Sequence, residues 1–287
     1  MSSDGGFEFT LWPACVQVHP FEEQVKAARQ AGFDSLAISP VLYRSLKAAG
    51  WSDQRILEYP RDHGIRLSAY DGFSDWAPLR YGARLPDAAK AIFDVSQDDC
   101  LAICEALELR SICATAAVET GEVSIDAMRD GFGAFAARAG AIDVRVDLEF
   151  LPMWAIPDLN TAWDVLGSCK QVNAGILLDT WHFMRGNPDM TLLRSLPAGV
   201  IQCVQLADAS ATPRSADLFE DTLLYRQFPG EGELPLVDIL QALMEHQMPV
   251  SIGPEIYSLE ANGMSANEAA ERAAGGSQSV IDAARAR

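Results

Sequence analysis

Four side chains in this sequence end an apolar run with a group that can hold a cation or move a proton. They are Glu149 in Val146-Asp147-Leu148-Glu149, Asp179 after Gly175-Ile176-Leu177-Leu178, Gln205 after Cys203-Val204, and Glu255 after Ser251-Ile252-Gly253-Pro254. Short apolar runs of this kind read as parallel strands buried on both faces, and a carboxylate at the C-terminal end of one lies where the sheet presents chemistry. Three carboxylates converging in a partly dry cavity are costly unless paired or coordinated. No cluster of Lys or Arg accompanies them in the sequence, so the chemistry they suggest is that of a divalent cation. For Asp179 a second reading stays open, because a carboxylate directly after a strand can simply cap the next turn. His182 follows it three residues later.

The segments that must position these groups alternate between short apolar runs and longer amphipathic stretches, the pattern of repeated β/α units. Strands are expected at 7–12, 35–38, 65–70, 111–117, 143–150, 175–178, 201–206 and 250–252. Helices are expected at 21–30, 41–49, 53–61, 87–107, 124–138, 163–172, 191–196, 236–246 and 266–284. The run Asp71-Gly72-Phe73-Ser74-Asp75-Trp76 reads as a loop, and 209–233, ending in Phe228-Pro229-Gly230-Glu231-Gly232, reads as a long lid or binding loop. Eight strands, each followed by helical sequence, predict an α/β fold of the (β/α)8 TIM barrel type in which 1–287 forms a single domain. An open doubly wound sheet would call for a phosphate-cradling glycine loop near the start, and no G-x-G-x-x-G or Walker pattern is found.

Composition narrows the function classes. Asp and Glu number 40 against 22 Lys and Arg, a formal charge of −18, which disfavours nucleic acid and anionic membrane surfaces as partners. Six cysteines are scattered without a Cys-x-x-Cys pair, as in a cytoplasmic protein with reduced cysteines in its core. No apolar run approaches a membrane span. Oligomer formation is left open.

Taken together, the four strand ends resemble the xylose-isomerase-like barrel superfamily, which includes sugar phosphate isomerases/epimerases, ketose 3-epimerases, inosose dehydratases and the endonuclease IV group. The matching motifs are Leu148-Glu149-Phe150-Leu151, Gly175 to His182 around Asp179, and Pro254-Glu255-Ile256-Tyr257-Ser258. The resemblance implies metal ligands on strands five to eight: Glu149, Asp179, Gln205 and Glu255. It also implies a substrate-contacting histidine at His182 and an arginine at Arg226, three residues before the Pro229-Gly230-Glu231-Gly232 turn. Gln205 departs from the pattern, which has His there. Its amide oxygen completes an all-oxygen donor set, and hard oxygen donors favour Mn2+ or Mg2+, with Co2+ or Zn2+ as further candidates.

By the same resemblance, Glu149 and Glu255 exchange protons with a sugar-like keto substrate through an enediolate, His182 shares in the chemistry, and His182, Arg226 and Trp181 contact the substrate. The expected activity is a metal-dependent isomerase or epimerase. The alternative is a dehydratase or other lyase of a keto-sugar or glycoside on the same site. Trp12, Phe73, Trp76, Trp154 and Trp181 fall near expected strand ends and suggest stacking on a ring or apolar face of the substrate. Endonuclease chemistry fits poorly with four histidines and strong negative charge. A non-catalytic barrel that lost turnover through Gln205 is the remaining class.

Overall fold

The computed structural model describes residues 6–83, 85, 87–245 and 249–286. Eight parallel strands close into a barrel in chain order: β1 (Glu8–Leu11), β2 (Ser35–Ile38), β3 (Arg66–Phe73), β4 (Ser111–Ala114), β5 (Arg145–Glu149), β6 (Ala174–Asp179), β7 (Ile201–Leu206) and β8 (Ser251–Pro254). Closure is by β8 on β1, with Glu8 opposite Ser251 and Phe9 opposite Ile252. Gly253 is required there, because a side chain would run into the Thr10 carbonyl of β1.

Two-residue alternation sorts each strand into two faces. Leu11, Leu36, Ile38, Tyr70, Ile112, Val146, Leu148, Ile176, Leu178, Val204, Leu206 and Ile252 join the main core with the surrounding helices. The opposite parity fills the barrel interior with a separate, smaller cluster of Trp12, Ala37, Ala69, Cys113, Leu177 and Cys203. The next positions of that inward parity, at the C-terminal ends, are Asp71, Glu149, Asp179, Gln205 and Glu255. The outer helices start where side chains cap them: Ser39, Ser52, Ser96, Ser124, Asp158 and Ser265 each accept a backbone N–H of the first turn. Helix Ala266–Arg285 packs on the helices Phe21–Ala31 and Leu236–Met244, joining the last unit to the first.

The structure departs from the sequence reading in several places. Asp71-Gly72-Phe73 is not loop but the end of β3, paired with β4 through Asp71 opposite Cys113. The helix expected over 87–107 is two helices, Asp87–Phe93 and Gln97–Ala106, separated because Ser96 caps the second. The helix expected at 163–172 starts earlier and spans Leu159–Leu166, since Asp158 caps it and Gly167 ends it. A helix over Thr180–Arg185 follows β6 directly, and another, Leu218–Leu224, lies inside the long 209–233 stretch. His246, placed at the end of a helix, lies outside the described residues.

Among the described residues no helix is long and apolar enough to cross a membrane. All six cysteines are free, and Cys100 and Cys104 are both buried.

Candidate active site

The two readings of Asp179 are both realised. One oxygen, Oδ1, accepts the backbone N–H of His182 at 2.8 Å and caps helix Thr180–Arg185, which fixes His182 beside the carboxylate. The other, Oδ2, accepts Nη1 of Arg226 at 2.7 Å. A strand-end aspartate thus starts the helix that carries the next site residue and with its other oxygen holds the Arg226 guanidinium.

Around it the structure gathers every position the sequence singled out on β5 to β8. Oxygens of Glu149 and Asp179 and a ring nitrogen of His182 lie within 4.8 Å of one another, all buried. Glu149 Oε1 is 3.7 Å from His182 Nε2, and its Oε2 accepts the thiol of Cys113 at 3.2 Å. Glu255 Oε1 accepts Nε2 of Gln205 at 3.0 Å, and its Oε2 lies 3.3 Å from Arg226 Nη1. Asp179 is register partner to Gln205, and Gln205 to Gly253.

Arg226 is buried and saturated. Besides the two carboxylates, Nη1 donates to the Glu255 carbonyl at 3.1 Å, Nη2 lies 3.2 Å from His182 Nε2, and Nε and Nη2 donate to Thr222. A guanidinium can only donate, so His182 Nε2 is the acceptor and the neutral ring carries its proton on Nδ1. Trp181 is fully buried, with its ring 5.3 Å from the Arg226 guanidinium and 5.2 Å from the His182 ring. It stands behind the two polar side chains.

Sequence reasoning missed Asp71. It occupies the end of β3 as Glu149 does β5, and the signal was the same: an apolar run, Leu67-Ser68-Ala69-Tyr70, that stops at a carboxylate. Reading the glycine after it as a loop concealed the parallel. Cys113, the neighbour of both Asp71 and Glu149, also went unnoticed because buried thiols are usually only packing.

The site is overloaded with negative charge. Asp71, Glu149, Asp179 and Glu255 share one guanidinium, and this crowding shows in their protonation. Burial pushes Glu149 up to about 8, with Asp179 and Asp71 adding to the shift. Burial likewise raises Asp71 to about 7, opposed by Cys113 and Arg226, and raises Glu255 well above the carboxylate range, with Asp71 reinforcing it. Burial opposes charge on Asp179 too, but Arg226 and His182 overcome it and hold this carboxyl below its ordinary value. Desolvation drops His182 to about 3, so its ring is neutral near pH 7.

Surplus carboxylate is what a divalent cation would neutralise. Gln205 Oε1 adds a buried oxygen with no hydrogen-bond partner among the described residues. The residues present therefore fit a hard cation: two or three carboxylate oxygens, an amide oxygen and an adjacent imidazole.

Other expectations resolve differently. Phe73 stacks on Phe135 with ring centroids 4.7 Å apart, and Trp76 packs edge-on to Phe132 while its indole N–H donates to the Thr115 carbonyl. Both belong to the packing under helix Ile125–Gly140. Trp12 lies in the interior cluster. Trp154 joins a third cluster, with Phe93 and Leu85, and has Phe219 6.2 Å away. Asp208 does not touch the site. Its Oδ1 accepts the backbone N–H groups of Ala209 and Leu234 and its Oδ2 that of Gly230, so it clasps the Pro229-Gly230-Glu231-Gly232 turn. Gly232 is glycine because a side chain there would collide with that same Asp208 carboxylate.

A closed (β/α)8 barrel with a carboxylate-rich, guanidinium-bridged pocket at the C-terminal ends of β5 to β8 defines the class of protein. The chain belongs to the xylose isomerase-like TIM barrel family, whose model matches residues 25–279. It is 26% identical over 271 residues to 3-dehydroshikimate dehydratase of Pseudomonas putida, an alignment covering 90% of this chain and 39% of the relative. The chain thus spans about two fifths of the length of the curated relatives it matches. In fold it is similar to the IolI protein with a bound zinc atom, at TM-score 0.82 and 19% identity, covering 96% of this chain and 98% of that one. An L-ribulose 3-epimerase structure aligns at TM-score 0.70 and 16% identity, covering 98% of this chain and 96% of that one.

Proposed function

We propose that this chain is a divalent-cation-dependent dehydratase acting on a small, polyhydroxylated cyclic keto compound of the 3-dehydroshikimate type. The observation that carries the reading is the pocket itself, four carboxylates and a neutral imidazole around one guanidinium, in a chain related over most of its length to 3-dehydroshikimate dehydratases. Glu149, Asp179, Gln205 and Glu255 would hold the cation, Mn2+ or Mg2+ before Zn2+ because the donors are hard oxygens. When bound, the cation supplies Lewis-acid polarisation of a carbonyl oxygen, which makes the adjacent C–H more acidic.

The protein's own groups do the rest. Glu149, a carboxylate when it holds the cation, takes the proton from the carbon next to the carbonyl. The C–H electron pair moves into a new C=C bond as the β C–O bond breaks. The proton held by Glu149 goes to the departing hydroxide, so one water leaves and Glu149 is again a carboxylate. His182 Nδ1–H, which has no partner among the described residues, orients a substrate oxygen, while Arg226 holds Asp179, Glu255 and His182 in place and Trp181 packs against both Arg226 and His182.

Isomerisation or epimerisation is the second reading, favoured by the presence of a second buried carboxylate, Glu255, that could return the proton to the opposite face of the substrate. One experiment separates them. The metal-reconstituted protein is incubated with 3-dehydroshikimate, and in parallel with keto-sugars, in D2O. Growth of an aromatic ultraviolet band from the cyclic enone supports dehydration. Deuterium entering the α-carbon of a keto-sugar with no water lost supports the isomerase reading and removes the dehydratase.

A further inference from the structure

Arg226 reaches the carboxylates from the long stretch after β7, which contains the helix Leu218–Leu224. Its fully buried residues are Asp221 and Thr222, whereas Leu218 and Leu224 are half-buried and Phe219 and Leu223 are exposed. Leu218 packs on the core, and the two buried polar side chains make the contacts that bind this short helix to the site. Thr222 takes the near edge of the Arg226 guanidinium: its hydroxyl accepts Nη2 at 2.8 Å and Nε at 3.2 Å, and its carbonyl accepts Nε at 3.1 Å. With Asp179, Glu255 and His182 on the remaining N–H groups, the planar fork is held from every side.

Asp221 links the same helix to the other half of the site. Its Oδ2 accepts Nε of Arg185 at 3.1 Å, and its Oδ1 accepts the backbone N–H of Arg214 at 2.7 Å. Arg185 lies three residues beyond His182 on helix Thr180–Arg185, donates to the Ser210 carbonyl at 2.8 Å, and sits 5.6 Å from the Trp181 ring that Arg226 approaches from another side. The Arg185–Asp221 pair is buried, unlike most ion pairs among the described residues.

We infer that Thr222 and Asp221 are positioning residues: Thr222 aims Arg226, and Asp221, through Arg185, docks the Arg226 loop on the helix that carries His182. The effect on turnover rests on the dehydratase reading above; the docking does not. Two variants separate the links. Asp221→Asn weakens the dock, so tryptic cleavage after the exposed Arg214 speeds up by about tenfold or more relative to the unmodified protein. Thr222→Val keeps the loop docked and cleavage unchanged, but frees the guanidinium. With its Nη2 edge no longer aimed by the hydroxyl, the guanidinium sits less squarely on Asp179 and Glu255, so the variant lowers kcat/KM about tenfold and tightens Mn2+ binding several-fold by calorimetry, while Thr222→Ser restores both.

Unchanged cleavage in Asp221→Asn overturns the dock. Unchanged Mn2+ affinity in Thr222→Val, or failure of Thr222→Ser to restore it, overturns the role of Thr222. A protein whose cleavage and Mn2+ readouts shift as described while the unmodified form turns over no cyclic keto acid keeps this inference and loses the dehydratase reading.

Discussion

The barrel interior holds two polar layers built on opposite rules. In the lower one, Thr10 shares hydroxyl hydrogen bonds with Ser35 at 3.0 Å and Ser251 at 2.8 Å, and Arg145 Nε lies 2.9 Å from both oxygens of Asp147. Each donor has its acceptor and each charge its opposite. Further toward the C-terminal ends of the strands, four carboxylates lie around a single guanidinium, and Gln205 Oε1 and His182 Nδ1 lack partners among the described residues. Buried polarity alone therefore marks no function in this fold. What distinguishes the upper layer is imbalance, which a balanced ion pair of equal burial does not show.

Breaking each layer should have a different signature. The largest effect is expected from Asp179→Ala, which removes both the helix cap and a charge at the centre of the upper layer. Its metal affinity should fall by more than the roughly 10–100-fold that losing an outer-sphere partner costs. Full retention of metal by elemental analysis would remove Asp179 from the ligand set. Next comes Asp147→Asn in the lower layer, which strands Arg145 and should cost about 3 kcal/mol in urea denaturation. Its metal content should stay unchanged; loss of metal there would dissolve the distinction between the layers.

Gln205→His should act within the upper layer without emptying it. Replacing a hard oxygen with an imidazole nitrogen should move the preference from Mn2+ toward Zn2+ by about an order of magnitude in competition titration. An unaltered metal preference would mean that Gln205 faces no cation. The smallest effect is Thr10→Val, about 1 kcal/mol for a hydroxyl network that loses its central member, with turnover unaffected.

Much of this arrangement was legible because strands in a closed parallel barrel carry a simple grammar. Ser35–Ile38 and Ile201–Leu206 were bounded correctly from apolar runs alone, and the groups at the ends of β5 to β8 fell into one pocket because barrel closure brings strand ends together. The grammar failed where a local signal outweighed it. Gly72 made the end of β3 look like a loop and hid Asp71, although pairing with β4 holds that backbone extended. Leu218–Leu224 was invisible as a helix because its fully buried residues, Asp221 and Thr222, are polar and it is too short for an apolar period to announce it. Asp208, two residues beyond β7, clasps a turn that lies more than twenty residues ahead, a partner that no local pattern announces.

The sequence by itself determined the strand grammar, the closed barrel, and the identity of the carboxylates and amide at the ends of β5 to β8. These follow from residue type and from short apolar runs that recur between amphipathic stretches, which can be read along the chain. Only the tertiary structure decided that Asp179 is cap and pocket group at once, that Trp181 stands behind His182 rather than at the mouth, and that Arg226 spans Asp179 and Glu255. Those outcomes depend on which side chains share a volume after closure. Burial and charge crowding there arise from residues as distant along the chain as Asp71 and Glu255, and no window of sequence contains them together.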